Sequence, residues 1–88
     1  MSERESILQE AQRLVGGDRQ SAYGHPSEHF RAVATMWSVL IGAPVKPEHV
    51  PLCMAALKLV RESHVHRRDN LTDCAGYMAT LAMLVEES

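Results

Sequence analysis

Aromatic side chains are scarce in this chain. It has one phenylalanine, one tryptophan and two tyrosines among 88 residues, although hydrophobic residues of all kinds make up 45%. The core must therefore be built from aliphatic side chains and methionine. A domain this short buries a limited share of its surface, so its core is marginal. We therefore expect one domain, residues 1–88, which associates into a homodimer or tetramer.

Long apolar runs and an excess of basic residues are missing too. No run approaches the roughly 20 residues that a transmembrane helix needs, and the N-terminal segment lacks the apolar core of a signal peptide. Nine lysine and arginine residues are outnumbered by eleven aspartate and glutamate residues. Duplex nucleic acid requires a basic face, and this composition does not indicate one. We expect a cytoplasmic protein that does not contact membranes, and nothing indicates a duplex nucleic acid partner.

The sequence also lacks the familiar catalytic and cofactor motifs. There is no Walker loop, nucleophile elbow or dinucleotide fingerprint. The two cysteines, Cys53 and Cys74, do not have the spacing of zinc ligands, and we predict that both are buried in helices. The five histidines match no metal-binding pattern, so we predict that they lie at the surface.

What the sequence does contain is four segments with the apolar period of an amphipathic helix. We predict helices over about 3–15, from Pro26 to about 41, from Pro47 onwards and from about Arg68 onwards. Gly16 and Gly17 are predicted to end the first helix. The core stripe of the fourth is predicted to be Leu71, Cys74, Ala75, Met78, Leu81 and Val85. With short connections, this pattern favours an all-α, four-helix antiparallel bundle.

A polar cluster interrupts the most apolar part of the chain, residues 50–59. It comprises two basic residues and four acidic or amide residues: Lys58, Arg61, Glu62, Asp69, Asn70 and Asp73. A helix that is apolar on almost every side is normally buried, and a buried charge needs a partner. These residues therefore predict a polar site between the third and fourth helices.

The oxygen-bearing members of this cluster are candidate metal ligands. Asp69, Asn70 and Asp73 are three or four residues apart, so a helix presents them on one side. Such ligands suit Mg²⁺, which neutralises polyphosphate and activates water. With Glu62 they form a predicted magnesium site. The structural alternative is that Asp69 or Asn70 caps the helix and that Asp73 is a solvated acid.

Five residues are candidate substrate-binding groups: Lys58, Arg61, Tyr77, Arg19 and Tyr23. The two basic groups of the third helix would contact phosphate, and the tyrosine of the fourth would stack on a base or bind a phosphate. The pair in the glycine-flanked connection 17–24 would close over the pocket. The alternatives are an interhelical salt-bridge lattice for the cations and packing roles for the other three.

Several of these residues, taken together, carry a resemblance to a known family. They are, in order, Gly-Asp-Arg-Gln-x-x-Tyr-Gly (17–24), Phe30, Trp37-Ser38, Lys58-x-x-Arg61 and Asp69-Asn70-x-x-Asp73-x-x-Gly76-Tyr77. Over about residues 14–85 the chain resembles a family of small helical proteins of mostly unknown function. Bacteriophages encode them widely, notably those of actinobacteria.

That family is in turn distantly similar to the MazG-like all-α nucleoside triphosphate pyrophosphohydrolases. These enzymes hold magnesium with Glu-Glu-x-x-Glu on one helix and Glu-x-x-Asp on the next, cleave between the α and β phosphates, and assemble as dimers or tetramers. The resemblance implies a MazG-like fold, a Mg²⁺ cofactor and catalytic roles for Glu62 and Asp73. The sequence departs from that pattern because Arg61, Val65 and Asn70 stand where it has glutamates.

Two functions remain open at this stage. One is magnesium-dependent hydrolysis of a nucleoside or deoxynucleoside triphosphate, by an active enzyme or a degenerate relative of one. The other is a non-catalytic phage module that binds a nucleotide or a protein and whose charges form salt bridges. The number of carboxylates available to a metal ion distinguishes the two.

Overall fold

The computed structural model describes residues 2–18 and 24–87, and these form helices and turns with no strand. The four α-helices are α1 (Glu3–Arg13), α2 (Pro26–Ile41), α3 (His49–His64) and α4 (Arg68–Glu87), and a π-helical segment, Leu14–Asp18, follows α1. The prediction of an all-α chain with four helices is confirmed. None of these helices has the length and apolarity that crossing a membrane requires.

The first helix does not end where its sequence suggests. Ser2 begins α1 as its N-cap by accepting a hydrogen bond from the Glu5 N–H at 3.2 Å. The chain then stays helical through both glycines as the π-helical segment, so the predicted stop at Gly16 was wrong. Val15 is buried there, with its Cγ2 atom 3.4 Å from where a Cβ atom on Gly76 would lie. Packing against α4 therefore outweighs the low helix propensity of glycine.

Helix α2 has the predicted bounds, and local chemistry explains both ends. Pro26 occupies the first turn, and the side chain of His25 accepts a hydrogen bond from the Ser27 N–H at 3.2 Å. At the other end Gly42 adopts a left-handed conformation with φ of 76°. The Ser38 hydroxyl accepts a hydrogen bond from the Val45 N–H at 2.9 Å, which fixes the chain as it leaves the helix.

The third helix begins at His49, slightly later than predicted, and the fourth begins at Arg68 as predicted. A three-residue turn joins α3 to α4, and these two helices share the most extensive contact between elements of the described chain. Helix α1 packs on α4, while α2 makes thinner contacts with α3 and α4. The described part of the chain measures 43 × 29 × 22 Å.

The predicted core stripe of α4 was wrong. The residues that α4 buries are mainly small or polar: Asn70, Thr72, Gly76, Tyr77, Thr80 and Leu84. The Thr72 and Thr80 hydroxyls donate to carbonyls of their own helix, so burying them leaves no hydroxyl unsatisfied. Among the predicted core residues, Leu71, Met78 and Val85 are exposed instead.

Candidate functional site

The third and fourth helices bring part of the predicted polar cluster together through Lys58. Its Nζ atom lies 2.8 Å from Oδ2 of Asp73 and 3.7 Å from Oδ2 of Asp69. The side chains of Lys58 and Asp73 are only 11% and 16% exposed, whereas that of Asp69 is 52% exposed. Lys58 and Asp73 therefore form a largely buried ion pair that links α3 to α4, the structural alternative considered for Lys58.

Glu62 lies near the C-terminal end of α3 and accepts three hydrogen bonds. Its Oε1 atom accepts from the Arg67 N–H at 3.0 Å and from Nδ2 of Asn70 at 3.1 Å. Its Oε2 atom accepts from Nδ1 of His66. Because Arg67 immediately precedes α4, Glu62 satisfies a free amide at the start of that helix and places negative charge at the positive end of its dipole.

These contacts shift the pKa values of Glu62 and His66, at the turn between α3 and α4. The hydrogen bond from His66 is the largest influence on Glu62, and with those from Arg67 and Asn70 it lowers the pKa of Glu62 to about 2. The same hydrogen bond, aided by the glutamate charge, raises the pKa of His66. The carboxylate of Glu62 and the imidazolium of His66 therefore stabilise each other as a charge-assisted pair.

Asp69 lies between two cations at the start of α4. Arg67 donates from Nε to its Oδ1 atom at 3.2 Å. Desolvation alone would raise the pKa of Asp69, but the Arg67 hydrogen bond and the charges of Arg67 and Lys58 together outweigh it and lower that pKa. Asp69 is therefore a carboxylate that already has positive partners within the chain.

The four predicted magnesium ligands do not form one set of ligands. Asp69 and Asp73 face Lys58, while Glu62 faces His66 and Arg67, and Asn70 directs its amide nitrogen, a donor, at Glu62. Over residues 2–18 and 24–87, no three histidine, cysteine or acidic side chains stand close enough to hold a metal ion. As arranged, these donors do not fit Mg²⁺, which favours several oxygen ligands in near-octahedral geometry.

A cavity of 340 Å³ lies beside the ion pair, among α1, α2, α3 and α4. Its wall is mostly apolar and carries three aromatic rings, those of Phe30, Trp37 and Tyr77, together with the imidazole of His29. Asp73, Thr72 and Thr80 supply the polar groups that border it. The lining residues that the structure describes include no lysine or arginine.

The predicted substrate-binding residues have different surroundings. Tyr77 is buried and lines the cavity, and Lys58 is held in the ion pair. Arg61 is exposed and borders a separate shallow depression with His64 and Arg67. Arg19 and Tyr23 lie outside the described residues, so their predicted role in closing the pocket stays a prediction.

Two cavity residues and both cysteines were misjudged from sequence. Trp37, expected in the core, is half-buried and lines the cavity, as does His29, expected at the surface. The apolar period through Phe30 and Trp37 predicted that these residues lie on the inner side of α2, but it did not predict the cavity that they line. Cys53 is exposed and Cys74 half-buried, so the prediction of two buried cysteines was wrong.

Comparison with known proteins gives the chain relatives in mycobacteriophages. It is 38% identical over 84 residues to the Gene 55 protein of Mycobacterium phage D29, covering 94% of this chain and 56% of that protein. It is 35% identical over 79 residues to the Gene 55 protein of Mycobacterium phage L5, covering 86% and 50% of the two. The chain thus spans about half the length of these relatives.

The sequence suggested a likeness to a phage protein family and a more distant likeness to MazG-like enzymes, and the comparisons support only the first. The likeness to phage proteins of unknown function is confirmed, whereas none of these matches is to a MazG-like pyrophosphohydrolase, so that likeness stays a prediction. No solved structure matches the chain. Because a family model matches residues 6–85, the chain belongs to the family described as a domain of unknown function, DUF6378.

Proposed function

We propose that this chain is a non-catalytic binding module whose cavity binds the base of a nucleoside or nucleotide. Relative to the MazG-like enzymes it resembles, the chain would then be a degenerate, inactive relative. One observation carries the proposal. The candidate catalytic carboxylates, Glu62 and Asp73, already have partners within the chain, while an aromatic-lined cavity borders Asp73. The polar cluster then holds the cavity in shape and performs no reaction.

The ion pair argues against a metal at Asp73. A magnesium ion binding that carboxylate would have to replace Lys58, whose Nζ atom lies at 2.8 Å. The displaced ammonium group, 11% exposed, would then be left without its closest counter-ion. Leaving a buried charge without its partner is strongly unfavourable. Glu62 offers no easy substitute because three hydrogen bonds already engage it.

The chemistry of the cavity favours a flat heterocycle. Its volume lies within the roughly 300–1,000 Å³ that is typical of small-molecule sites. The aromatic rings of Phe30, Trp37 and Tyr77 offer surfaces for stacking. Asp73 places a carboxylate, a group that only accepts hydrogen bonds, at the border of the cavity. With a carboxylate and no lysine or arginine among its described lining residues, the cavity suits the base, and the phosphates would remain outside it.

Fluorescence of Trp37, the single tryptophan of the chain, provides the test. We expect deoxynucleosides to change the Trp37 emission in a saturable way, and the corresponding triphosphates to bind no more tightly. Val33→Phe, on the cavity wall, should weaken binding at least tenfold by filling the cavity. Val39→Phe is the matched control, because Val39 lies on the same helix and is 74% exposed. No response to any nucleoside, with the chain folded by circular dichroism, would contradict the proposal.

The MazG-like enzyme is the second candidate, and the position of Asp73 favours it. Asp73 both borders the cavity and matches the aspartate of the second metal motif, while Glu62 matches an acid of the first. This candidate requires pyrophosphate release from nucleoside or deoxynucleoside triphosphates in the presence of Mg²⁺. If such turnover occurs and is lost in Asp73→Asn, the chain is an enzyme and the non-catalytic proposal fails. Nucleoside binding without turnover supports the binding module.

A further inference from the structure

Helix α4 leaves an apolar stripe in solvent on the side away from its buried residues. Leu71, Met78 and Val85 recur every seven residues and are 36%, 39% and 57% exposed. Cys74 and Leu81 lie between them and are half-buried. Apolar residues in this alternating three- and four-residue spacing form the seam of packed helices. Within one copy of the described chain, this seam is partly exposed.

Helix α3 presents a second apolar stripe. Leu52, Leu59 and Val60 are 46%, 61% and 66% exposed, and the small residue Ala56 lies between them. The opposite side of the same helix buries Val50 and Lys58. Folding of a single copy therefore leaves the apolar stripe of Leu52, Leu59 and Val60 exposed.

The two stripes face the same direction. Val50 lines the cavity, and Leu59, nine residues later, points about 180° away from it at 100° per residue. On α4, Met78 lies two residues from the cavity residues Gly76 and Thr80, so it points about 160° away from each. Because α3 and α4 pack side by side, their stripes form one surface opposite the cavity. We define the outer face as Leu52, Leu59, Val60, Leu71, Met78 and Val85.

We propose that the outer face is the interface of a homodimer in which the α3–α4 hairpins of two copies pack together as a four-helix layer. The dimensions support this partner. Helices of 16 and 20 residues are about 24 and 30 Å long, and two of them side by side are about 20 Å wide. Their flat area is about 500 Å², and protruding side chains bring the accessible area towards the roughly 800 Å² per partner of a stable complex.

The composition of the outer face suits a second copy of itself. In a twofold interface each surface meets its own image, so any charge near the axis would face the same charge. The six residues that define the face are all uncharged. Its large leucines alternate with the small residues Ala56 and Ala75, and large side chains of one copy can pack against small ones of the other. The absence of charge on the outer face and its alternation of large and small side chains therefore both permit self-association.

The molar mass of the full chain in solution, measured by light scattering during size exclusion, tests this interface. We expect twice the 9.8 kDa of one chain at micromolar concentration. Leu59→Arg and Met78→Arg each bring an unpaired charge into the interface, and each should raise the dimer dissociation constant more than about 100-fold. Both residues are exposed in the single copy, so circular dichroism should show retained helix.

The control is Val39→Arg on α2, a residue that is 74% exposed and lies outside the outer face. It should leave the dimer intact. A wild-type chain that stays monomeric at millimolar concentration would overturn the proposal. So would a dimer that dissociates in Val39→Arg but persists in both Leu59→Arg and Met78→Arg, because its interface would then lie on α2.

Discussion

At the scale of single residues, the ion pair between Lys58 and Asp73 decides whether the polar cluster is structural. We expect Asp73→Ala to lower the free energy of unfolding by about 3 kcal/mol, because it leaves a buried ammonium group without its nearest counter-ion. The double variant Lys58→Met/Asp73→Leu removes both charges and should come within about 1 kcal/mol of the wild type. Urea denaturation of Lys58→Met, Asp73→Leu and the double variant measures this coupling.

Asp69→Ala is the matched control for the ion pair. Asp69 lies 3.7 Å from the same Lys58 Nζ atom, but its side chain is 52% exposed. Its removal should lower the free energy of unfolding much less than removal of Asp73 does, as for other exposed ion pairs. If the double variant were destabilised by the sum of its single variants, Lys58 and Asp73 would not stabilise the fold as a pair.

A second prediction at this scale concerns pH. Folding lowers the pKa of Glu62 from 4.5 to about 2, so its carboxylate contributes stability above pH 4.5 that is lost as the pH falls towards 2. Folding raises the pKa of His66 above 6.5, so its imidazolium contributes stability below pH 6.5 that is lost as the pH rises through the raised pKa. Both contributions are complete only between about pH 4.5 and 6.5.

Glu62→Gln tests this assignment because it keeps an oxygen acceptor for the Arg67 N–H and removes the charge. We expect the His66 pKa, followed by NMR, to fall towards 6.5 in that variant. Glu48→Gln, a change at the opposite end of α3, should leave the His66 titration unaltered. An unchanged His66 pKa in Glu62→Gln would mean that the carboxylate does not hold the imidazole.

At the scale of helices, the sequence predicts the elements better than the surfaces they bury. The sequence correctly predicted both ends of α2, from its proline and glycine residues, and the start of α4. These ends are predictable because local hydrogen bonds and backbone preferences fix them. The continuation past Gly16 was not predictable locally, since it depends on Val15 packing against Gly76, sixty-one positions along the chain. Short-range signals fail where distant contacts determine the conformation.

The face that α4 buries was missed for a related reason. Hydrophobic periodicity identifies an apolar stripe without identifying what covers it. In α4 the small and polar side packs within one copy, because buried threonines satisfy their hydroxyls inside the helix. The meeting of Lys58 with Asp69 and Asp73 was foreseeable from spacing. The sequence did not predict that Glu62 would contact His66 while Asp69 and Asp73 contact Lys58. These contacts depend on how α3 and α4 are positioned across their turn.

At the scale of the whole molecule, the cavity and the outer face lie on opposite sides of the α3–α4 hairpin. Substitutions on one side are therefore expected to leave the other unaffected, and the two proposals can fail separately. A folded monomer that binds nucleosides would retain the binding module and exclude the dimer. A dimer that binds no nucleoside would do the reverse.

The dimer also has a thermodynamic consequence for the whole fold. If two folded copies unfold to separate chains, mass action makes the melting temperature depend on total protein concentration. With an unfolding enthalpy of about 0.7 kcal/mol per residue over two chains, Tm should rise by about 4 °C for each tenfold increase in concentration. Leu59→Arg should abolish this dependence and Val39→Arg should preserve it, as followed by circular dichroism at 222 nm, the standard helix signal. A wild-type Tm that is independent of concentration would show that unfolding does not release a partner, because dissociation is the step that couples stability to concentration.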